Sequence, residues 1–281
     1  MSNTTTEKRS GAVFSPMTIS STDFQRLVNF IQSNYGIDLS QKQQLITGRL
    51  SPTLRQRGYK SFSAFVDDLL RHQNNDDVTL VLNKLTTNYT FFMREKDHLD
   101  YFYNTIIPDI VQKHQKDKTL AIWSAGCSSG EEPYNLSMYL FDYLGSQVNQ
   151  WDTRILATDI SAQALTTAQR GVYDLPDSMP LEWKRKYFTA NPDGTHTVKP
   201  QVRNNVIYQT FNLMDPIKFR RKFDVIFCRN VMIYFDQPTK DALVRRFYDA
   251  TVPGGYLLIS YSENLSPNAP YRRIAPATFQ K

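Results

Sequence analysis

Four apolar runs in this chain each end on a polar group that could hold a ligand. Asp159 closes RILATD, Asn212 follows VIYQTF, Arg229 and Asn230 follow FDVIFC, and Gly126-Cys127-Ser128-Ser129-Gly130 follows AIWSA. An acid just past a strand can accept hydrogen bonds from both hydroxyls of a ribose. An asparagine amide can pair with a purine edge, with Leu213 beside it as an apolar wall. A glycine turn that opens a helix exposes N–H groups and the positive end of the helix dipole. Together these groups suit an adenosine with a charged amino-acid tail. Each also has an ordinary role: helix N-cap for Asp159, loop turn for Asn212, ion pair for Arg229.

The glycine turn narrows the choice. No Gly-Lys-Ser/Thr follows it, so it is no P-loop, and the glycines are not in G-x-G-x-x-G order. The helix beyond opens with Glu131 and Glu132, which favour the dipole but would repel a pyrophosphate. A ligand bearing a positive group fits better. The string also reads as G-x-S-x-G, the nucleophile elbow of serine hydrolases, with Ser128 as nucleophile. Only His196 lies downstream, inside an insertion, and no HGGG string precedes the elbow. That hydrolase is the remote alternative.

Several elements must position these groups. Ala121–Ser124, Arg154–Thr158, Val206–Phe211, Phe223–Cys228 and Gly255–Tyr261 read as strands. They alternate with helices from Glu131, over Ser161–Arg170 and over Thr239–Ala250. Such alternation predicts a mainly parallel α/β sheet covered on both faces, with ligands at the carboxyl ends of the strands. Phe102, Ile106, Ile107, Ile110 and Val111 predict a helix before the first strand. Residues 183–205 break the rhythm. Asn191-Pro192-Asp193-Gly194 is a turn signal there and Thr195–Val198 alternates after it, which predicts a small antiparallel hairpin.

The first ninety residues differ in texture. Residues 1–17 are polar and aperiodic and read as a flexible tail. Four helical patterns follow, on Phe24/Leu27/Val28/Ile31, on 41–57, on Phe62/Phe65/Val66/Leu69 and on Val78/Val81/Leu82/Leu85. Pro52 is expected to interrupt the second, with Ser51 capping a fresh start. Between Gly36 and Lys60 stand Lys42, Arg49, Arg55, Arg57 and Lys60 against one acid, Asp38. This is either a solvated helix face or a docking face for an acidic partner.

The net charge of +6 points the same way, to nucleic acid, anionic membrane or an acidic protein. The two cysteines, Cys127 and Cys228, argue for reduced thiols in a cytoplasmic protein and are expected to line the pocket. The four histidines are scattered, so no metal is expected. No apolar run approaches the ~20 residues of a membrane helix, and no signal-peptide core opens the chain. No Asn-Pro-Pro-Tyr or Asp-Pro-Pro-Tyr signature of amino-group methylation of nucleic acid is present, which leaves a nucleic-acid methyltransferase as the lesser reading.

The chain resembles the CheR-type chemotaxis receptor methyltransferases. The matching strings are TTNYTFFMRE (Thr86–Glu95), WSAGCSSGEEPY (Trp123–Tyr134), ATDIS (Ala157–Ser161), FNLMD (Phe211–Asp215), FDVIFCRNVMIYFD (Phe223–Asp236) and SEN (Ser262–Asn264). The pair GEEPY and CRNVMIYF is specific, whereas ATDIS alone would mark only a general methyltransferase. The resemblance spans residues 18–281.

It implies a class I S-adenosylmethionine-dependent methyltransferase: a Rossmann-like domain over 88–281, an N-terminal helical receptor-docking domain over 18–87, and an inserted antiparallel β-subdomain. It implies S-adenosylmethionine as methyl donor, S-adenosylhomocysteine as product, and chemoreceptor glutamates as acceptors. Carried over by motif, Asn88, Thr90, Arg94, Glu132, Asp159, Asn212, Leu213, Arg229 and Asn230 line the cofactor pocket. Arg94 and Tyr234 would lie nearest the transferred methyl group. The expected partner is the acidic helical coiled coil of a receptor's cytoplasmic methylation region, which makes Arg49, Arg55 and Arg57 docking residues; a monomer is expected. Some family members grip a receptor's C-terminal peptide with a glycine-rich loop of the subdomain. ANPDGTHT (Ala190–Thr197) is shorter and poorer in glycine, which predicts independence of that peptide.

Overall fold

The protein is described by a computed structural model that covers residues 17–72, 75–85 and 89–281. The expected tail at 1–17, apart from Met17, and the expected pocket residue Asn88 lie outside the described residues.

The chain opens with α1 (Ser21–Tyr35), α2 (Gln43–Gln56), α3 (Phe62–His72) and α4 (Asn75–Leu85). The Ser20 hydroxyl caps α1 by accepting the Asp23 N–H at 3.0 Å, and Leu27, Val28 and Ile31 bury one side. Pro52 does not break α2, contrary to expectation. The helix runs straight through it, and Ser51 bonds back to the Thr47 carbonyl instead of capping a new start.

Next come α5 (Lys96–Tyr101), a π-helical turn (Phe102–Ile106) and α6 (Ile107–Lys113). The sheet domain then runs β1 (Ile122–Ala125), α7 (Glu131–Leu144), β2 (Ile155–Asp159), α8 (Ala162–Arg170), β3 (Val172–Tyr173), α9 (Leu181–Tyr187), β4 (Phe188–Ala190), β5 (His196–Val198), α10 (Pro200–Arg203) and β6 (Val206–Thr210). It closes with β7 (Phe223–Cys228), a 3-10 turn (Met232–Tyr234), α11 (Gln237–Ala250), β8 (Thr251–Ile259), β9 (Arg272–Ala275) and β10 (Thr278–Gln280).

The main sheet has the order β6-β2-β1-β7-β8-β10-β9. Its first five strands are mutually parallel, while β10 and β9 add as an antiparallel edge. From β1 the chain builds outward through β2 to β6, then returns to the other side of β1 with β7. The order reverses there, so loops diverge and leave a crevice at the carboxyl ends.

Three boundaries differ from the sequence reading. Pro253-Gly254-Gly255 lies inside β8, which starts at Thr251 with a register irregularity against β7 that absorbs the turn-like triplet. The antiparallel pair β9/β10 carries little apolar periodicity and was not expected. The insertion is larger than 183–205, because β3 joins β5 and β4 in a three-stranded sheet.

Trp123, in the middle of β1, is fully buried and is ringed by Phe211, Phe219, Phe223 and Phe247. Its indole N–H is satisfied by Thr158 Oγ1 at 2.9 Å. The core on this face continues without a break into α1–α4, through residues such as Leu27, Ile46 and Leu82. The helical module is therefore packed on the sheet domain. The opposite face is covered by α5, α6, α7 and the small sheet.

Candidate active site

The crevice at the carboxyl ends encloses about 1090 Å³ including its mouth. Its floor begins where β1 ends. Gly126 and Cys127 donate their N–H groups to the Thr158 carbonyl at 2.7 and 2.9 Å, which folds the turn back over β2. Gly126 (φ +82°) and Gly130 (φ +96°) are required by this path. A Cβ on Gly126 would collide with Val231, and one on Gly130 would sit 2.7 Å from Ala168 Cβ.

Asp159 sits at the end of β2, buried, with Oδ2 accepting the Ser128 N–H and Oδ1 the Ser161 N–H, each at 2.8 Å. Burial pushes its carboxyl above the ordinary range, against the N–H groups of Ser161, Ser128 and Ile160. These N–H partners leave the carboxylate lone-pair capacity for a hydroxyl donor. The same arrangement argues against a hydrolase. Ser128 has the positive φ (50°) of an elbow, but its N–H faces a buried carboxylate, which would repel an oxyanion.

Glu132, at the start of α7, accepts from Ser124 Oγ at 2.7 Å and from Arg229 at 3.1 Å. Arg229 lines the crevice, yet its guanidinium is spent on protein partners: Glu132, Glu95 at 3.2 Å and the Arg94 carbonyl at 2.5 Å. Its ordinary ion-pair role therefore accounts for its geometry. Asn230 reaches Glu95 and Ser260. Asn212 donates to the Asn34 carbonyl at 2.8 Å and accepts the Met214 N–H at 3.0 Å, so it is a turn residue that retains one N–H and one lone pair. Leu213 and Ile160 form apolar wall.

Thr90, Arg94 and Tyr234 line the mouth. Arg94 donates to the Tyr89 carbonyl at 2.7 Å and its guanidinium lies 5.8 Å from the Phe91 ring centre. Tyr234 is half-exposed, and its carbonyl accepts the Asp38 N–H at 2.8 Å beside a bridge between Ile37 and Phe235. Six non-glycine residues among those described have positive φ, and Met93, Glu95, Ser128 and Asn230 are four of them. At ~1–3 kcal/mol each, such strain is typically held at functional sites by a surrounding network.

Some expected site residues are elsewhere. Burial pushes both thiols up, so both are neutral; Cys127 lines the crevice, but Cys228 is wholly in the core. Of the basic residues on α2 and just after it, Arg49 bonds the Lys84 carbonyl at 3.2 Å and Arg57 pairs with buried Asp77, so Arg57 serves the helical module itself. Other lining residues were not legible. Tyr35, Ile37 and Leu85 come from the helical module through long-range packing that has no local signal. Asn135 was hidden in the apolar face of α7. It is 2% exposed, and its Oδ1 has no hydrogen-bond partner among the described residues.

That orphaned acceptor tests the fit of the cofactor. Asn135 Oδ1, the Asp159 carboxylate and the neighbouring Glu132 make one wall of the crevice rich in acceptors. This suits hydroxyl and ammonium donors and suits no pyrophosphate. The other wall is apolar. The residues present fit an adenosyl amino acid.

Fold and site together define a class I S-adenosylmethionine-dependent methyltransferase. Residues 22–86 match the family described as CheR methyltransferase, all-alpha domain, and residues 88–279 match CheR methyltransferase, SAM binding domain. The chain belongs to the CheR methyltransferase family. It is 38% identical to "Chemotaxis protein methyltransferase" of Borreliella burgdorferi, over 94% of this chain and 95% of that one. It is 33% identical to "Chemotaxis protein methyltransferase Cher2" of Pseudomonas putida, over 89% and 93%. It is also 33% identical to "Chemotaxis protein methyltransferase" of Salmonella typhimurium, over 89% and 86%. No helix among the described residues is long and apolar enough to cross a membrane, and none of their His, Cys, Asp and Glu side chains form a metal-binding group.

Proposed function

We propose that this protein esterifies glutamate side chains of methyl-accepting chemoreceptors in the cytoplasm, using S-adenosylmethionine. The observation that carries this reading is the crevice itself, acceptor-rich at one wall and apolar at the other, with Arg94 and Tyr234 at its mouth. Asp159 would hold the ribose hydroxyls, Asn135 and Glu132 the ammonium end, and Leu213 and Asn212 the adenine. Thr90 and Asn88 would approach from the linker. When bound, the cofactor supplies a methyl group on a cationic sulfur, which a carboxylate oxygen can take while the bond pair leaves with sulfur as S-adenosylhomocysteine.

The protein then has little chemistry to perform. A glutamate carboxylate is already an anion at neutral pH, so no general base is needed. Arg94 and Tyr234 orient it and exclude water, and positioning of this kind is worth up to ~7–11 kcal/mol of barrier.

Arg49, exposed on α2, and Arg55, half-buried on it, fit an acidic receptor surface better than nucleic acid, for no base-stacking aromatic series accompanies them among the described residues. The helical module over 18–87 is the docking domain, and the enzyme acts as a monomer. The turn at Asn191–Thr195 is closed on itself by Asn191 side-chain bonds to Thr195 and Thr197 at 2.9 and 3.0 Å. This supports methylation that needs no receptor C-terminal peptide.

The test is transfer of labelled methyl from S-adenosylmethionine to purified receptor cytoplasmic fragments, with and without their C-terminal residues. Base-labile label on both fragments is expected. Label that resists base, or no label, would overturn the glutamyl ester; label on the full fragment alone would overturn peptide independence.

A further inference from the structure

Beneath Arg94 lies a partly buried carboxylate that does not line the crevice. Glu95 sits at the N-terminus of α5 with φ +49° and gathers contacts from α5 itself and from the segments that follow β7 and β8. Its Oε1 accepts from Asn230 Nδ2 at 3.2 Å and Ser260 Oγ at 3.0 Å. Its Oε2 accepts from the Arg229 guanidinium at 3.2 and 3.3 Å and lies 3.2 Å from His98 Nδ1. Arg229 is almost wholly buried and returns the grip, donating from the same Nη2 to the Arg94 carbonyl at 2.5 Å and from Nη1 to Glu132. Asn230, which follows β7, is itself held at φ +60° by Glu95 and Ser260. Residues 93 to 95 are thus tied to the ends of β1, β7 and β8.

We propose that Glu95 is a positioning residue: with Arg229 it clamps the backbone at Arg94, so that the Arg94 guanidinium stands fixed at the crevice mouth. Three observations converge. Met93 and Glu95, on either side of Arg94, hold left-handed backbone that a non-glycine residue adopts only when its surroundings impose it. Among the described residues the Arg94 side chain bonds the Tyr89 carbonyl and faces the Phe91 ring, both in its own segment, so its direction is inherited from the backbone of that segment. And Glu95 is one of two carboxylates that hold Arg229, the other being Glu132; without Glu95 the buried guanidinium would keep Glu132 as its one carboxylate partner among the described residues and be free to withdraw toward it. Burial pushes Glu95 up, but His98, Arg229, Asn230 and Ser260 outweigh it and hold it down to about 2, so the clamp is charged throughout the physiological range.

This inference rests on the reading of Arg94 as the residue that orients the acceptor. A Glu95→Gln variant keeps the size and one acceptor oxygen but loses the charge. Its turnover is expected to fall on the order of 10²-fold, the scale of a small misplacement at a reacting centre. Affinity for S-adenosylhomocysteine, by calorimetry, should change far less. In an Arg94→Ala background the same substitution should cost nothing further, because both changes remove one function. Amide exchange at residues 89–95 of the unliganded protein should quicken in Glu95→Gln while exchange in α7 and β2 stays as in the parent. If Glu95→Gln does not fold, Glu95→Asp, which keeps the charge and withdraws the carboxylate, is read in the same way. Equal losses in both backgrounds, undiminished turnover, or unchanged exchange at 89–95 would overturn the proposal. If the parent protein transfers no methyl group, the functional reading fails, and the exchange comparison alone still decides whether Glu95 holds the segment.

Discussion

The two ends of the parallel sheet each hold a buried aspartate, and they are finished differently. At the amino ends, Asp224 of β7 accepts the Ala121 N–H and His114 Nε2, both at 2.8 Å, and His114 turns its other nitrogen to Asp117 at 2.9 Å. That aspartate is held by an imidazole of the protein itself. At the carboxyl ends, among the described residues, Asp159 accepts from backbone N–H groups and has no cation beside it, Asn135 Oδ1 has no hydrogen-bond partner, and positive-φ residues crowd the turn and the linker. One end is closed for stability; the other keeps unused acceptors and strain where a ligand would come.

The contrast can be broken at several points. The largest effect is expected from Arg94→Ala, which should lower turnover by on the order of 10²-fold or more while binding of S-adenosylhomocysteine is nearly preserved. Full turnover would remove Arg94 from the reaction. Asp159→Ala should instead act on binding. Losing a hydrogen bond to a charged group costs about 1.5–3 kcal/mol, roughly 10- to 150-fold in cofactor affinity, and calorimetry that found no change would move the ribose elsewhere. Reversing Arg49 and Arg55 to glutamate should slow methylation of receptor fragments several-fold at low salt and flatten its salt dependence, with cofactor affinity unaltered. Identical salt profiles would refute docking on α2.

The smallest effects belong to pH. Burial lowers His114, but its bonds and charge interactions with Asp224 and Asp117 outweigh this, and its pKa is raised above the usual 6.5. A raised folded pKa means that its stabilisation is complete below about 6.5 and is lost as pH climbs through the folded value. Denaturant midpoints should therefore fall between pH 6 and 9 more steeply in the parent than in His114→Gln, while cofactor affinity follows neither. Glu95 has the opposite sign. Held down to about 2, it stabilises above about 4.5 and loses that contribution as pH drops towards 2. Parallel pH curves for parent and variant would contradict either assignment.

Most of the sheet could be read from sequence because each central strand is a continuous apolar run punctuated by one polar residue, as in FDVIFC-Arg229. The same punctuation gave Asp159. What escaped has physical causes. β9 and β10 form an edge whose residues, such as Arg272 and Arg273, face water and carry no apolar period. Pro52 looked like a break because propensity favours one, and the helix survives through the packing of Leu50 and Leu54 around it. Tyr35, Ile37 and Leu85 reach the crevice only because the helical module shares its core with the sheet. Glu95 stood in the string TFFMRE, but its partners lie at least 134 residues away for Arg229 and farther for Asn230 and Ser260.

The account stands on where an adenosyl ligand sits. A crystal structure of the protein grown with S-adenosylhomocysteine should show the ribose on Asp159, the amino-acid end beside Glu132 and Asn135, and the sulfur turned toward the mouth at Arg94 and Tyr234. Ligand density away from the carboxyl ends of β1 and β2, or an empty crevice at saturating ligand, would contradict it.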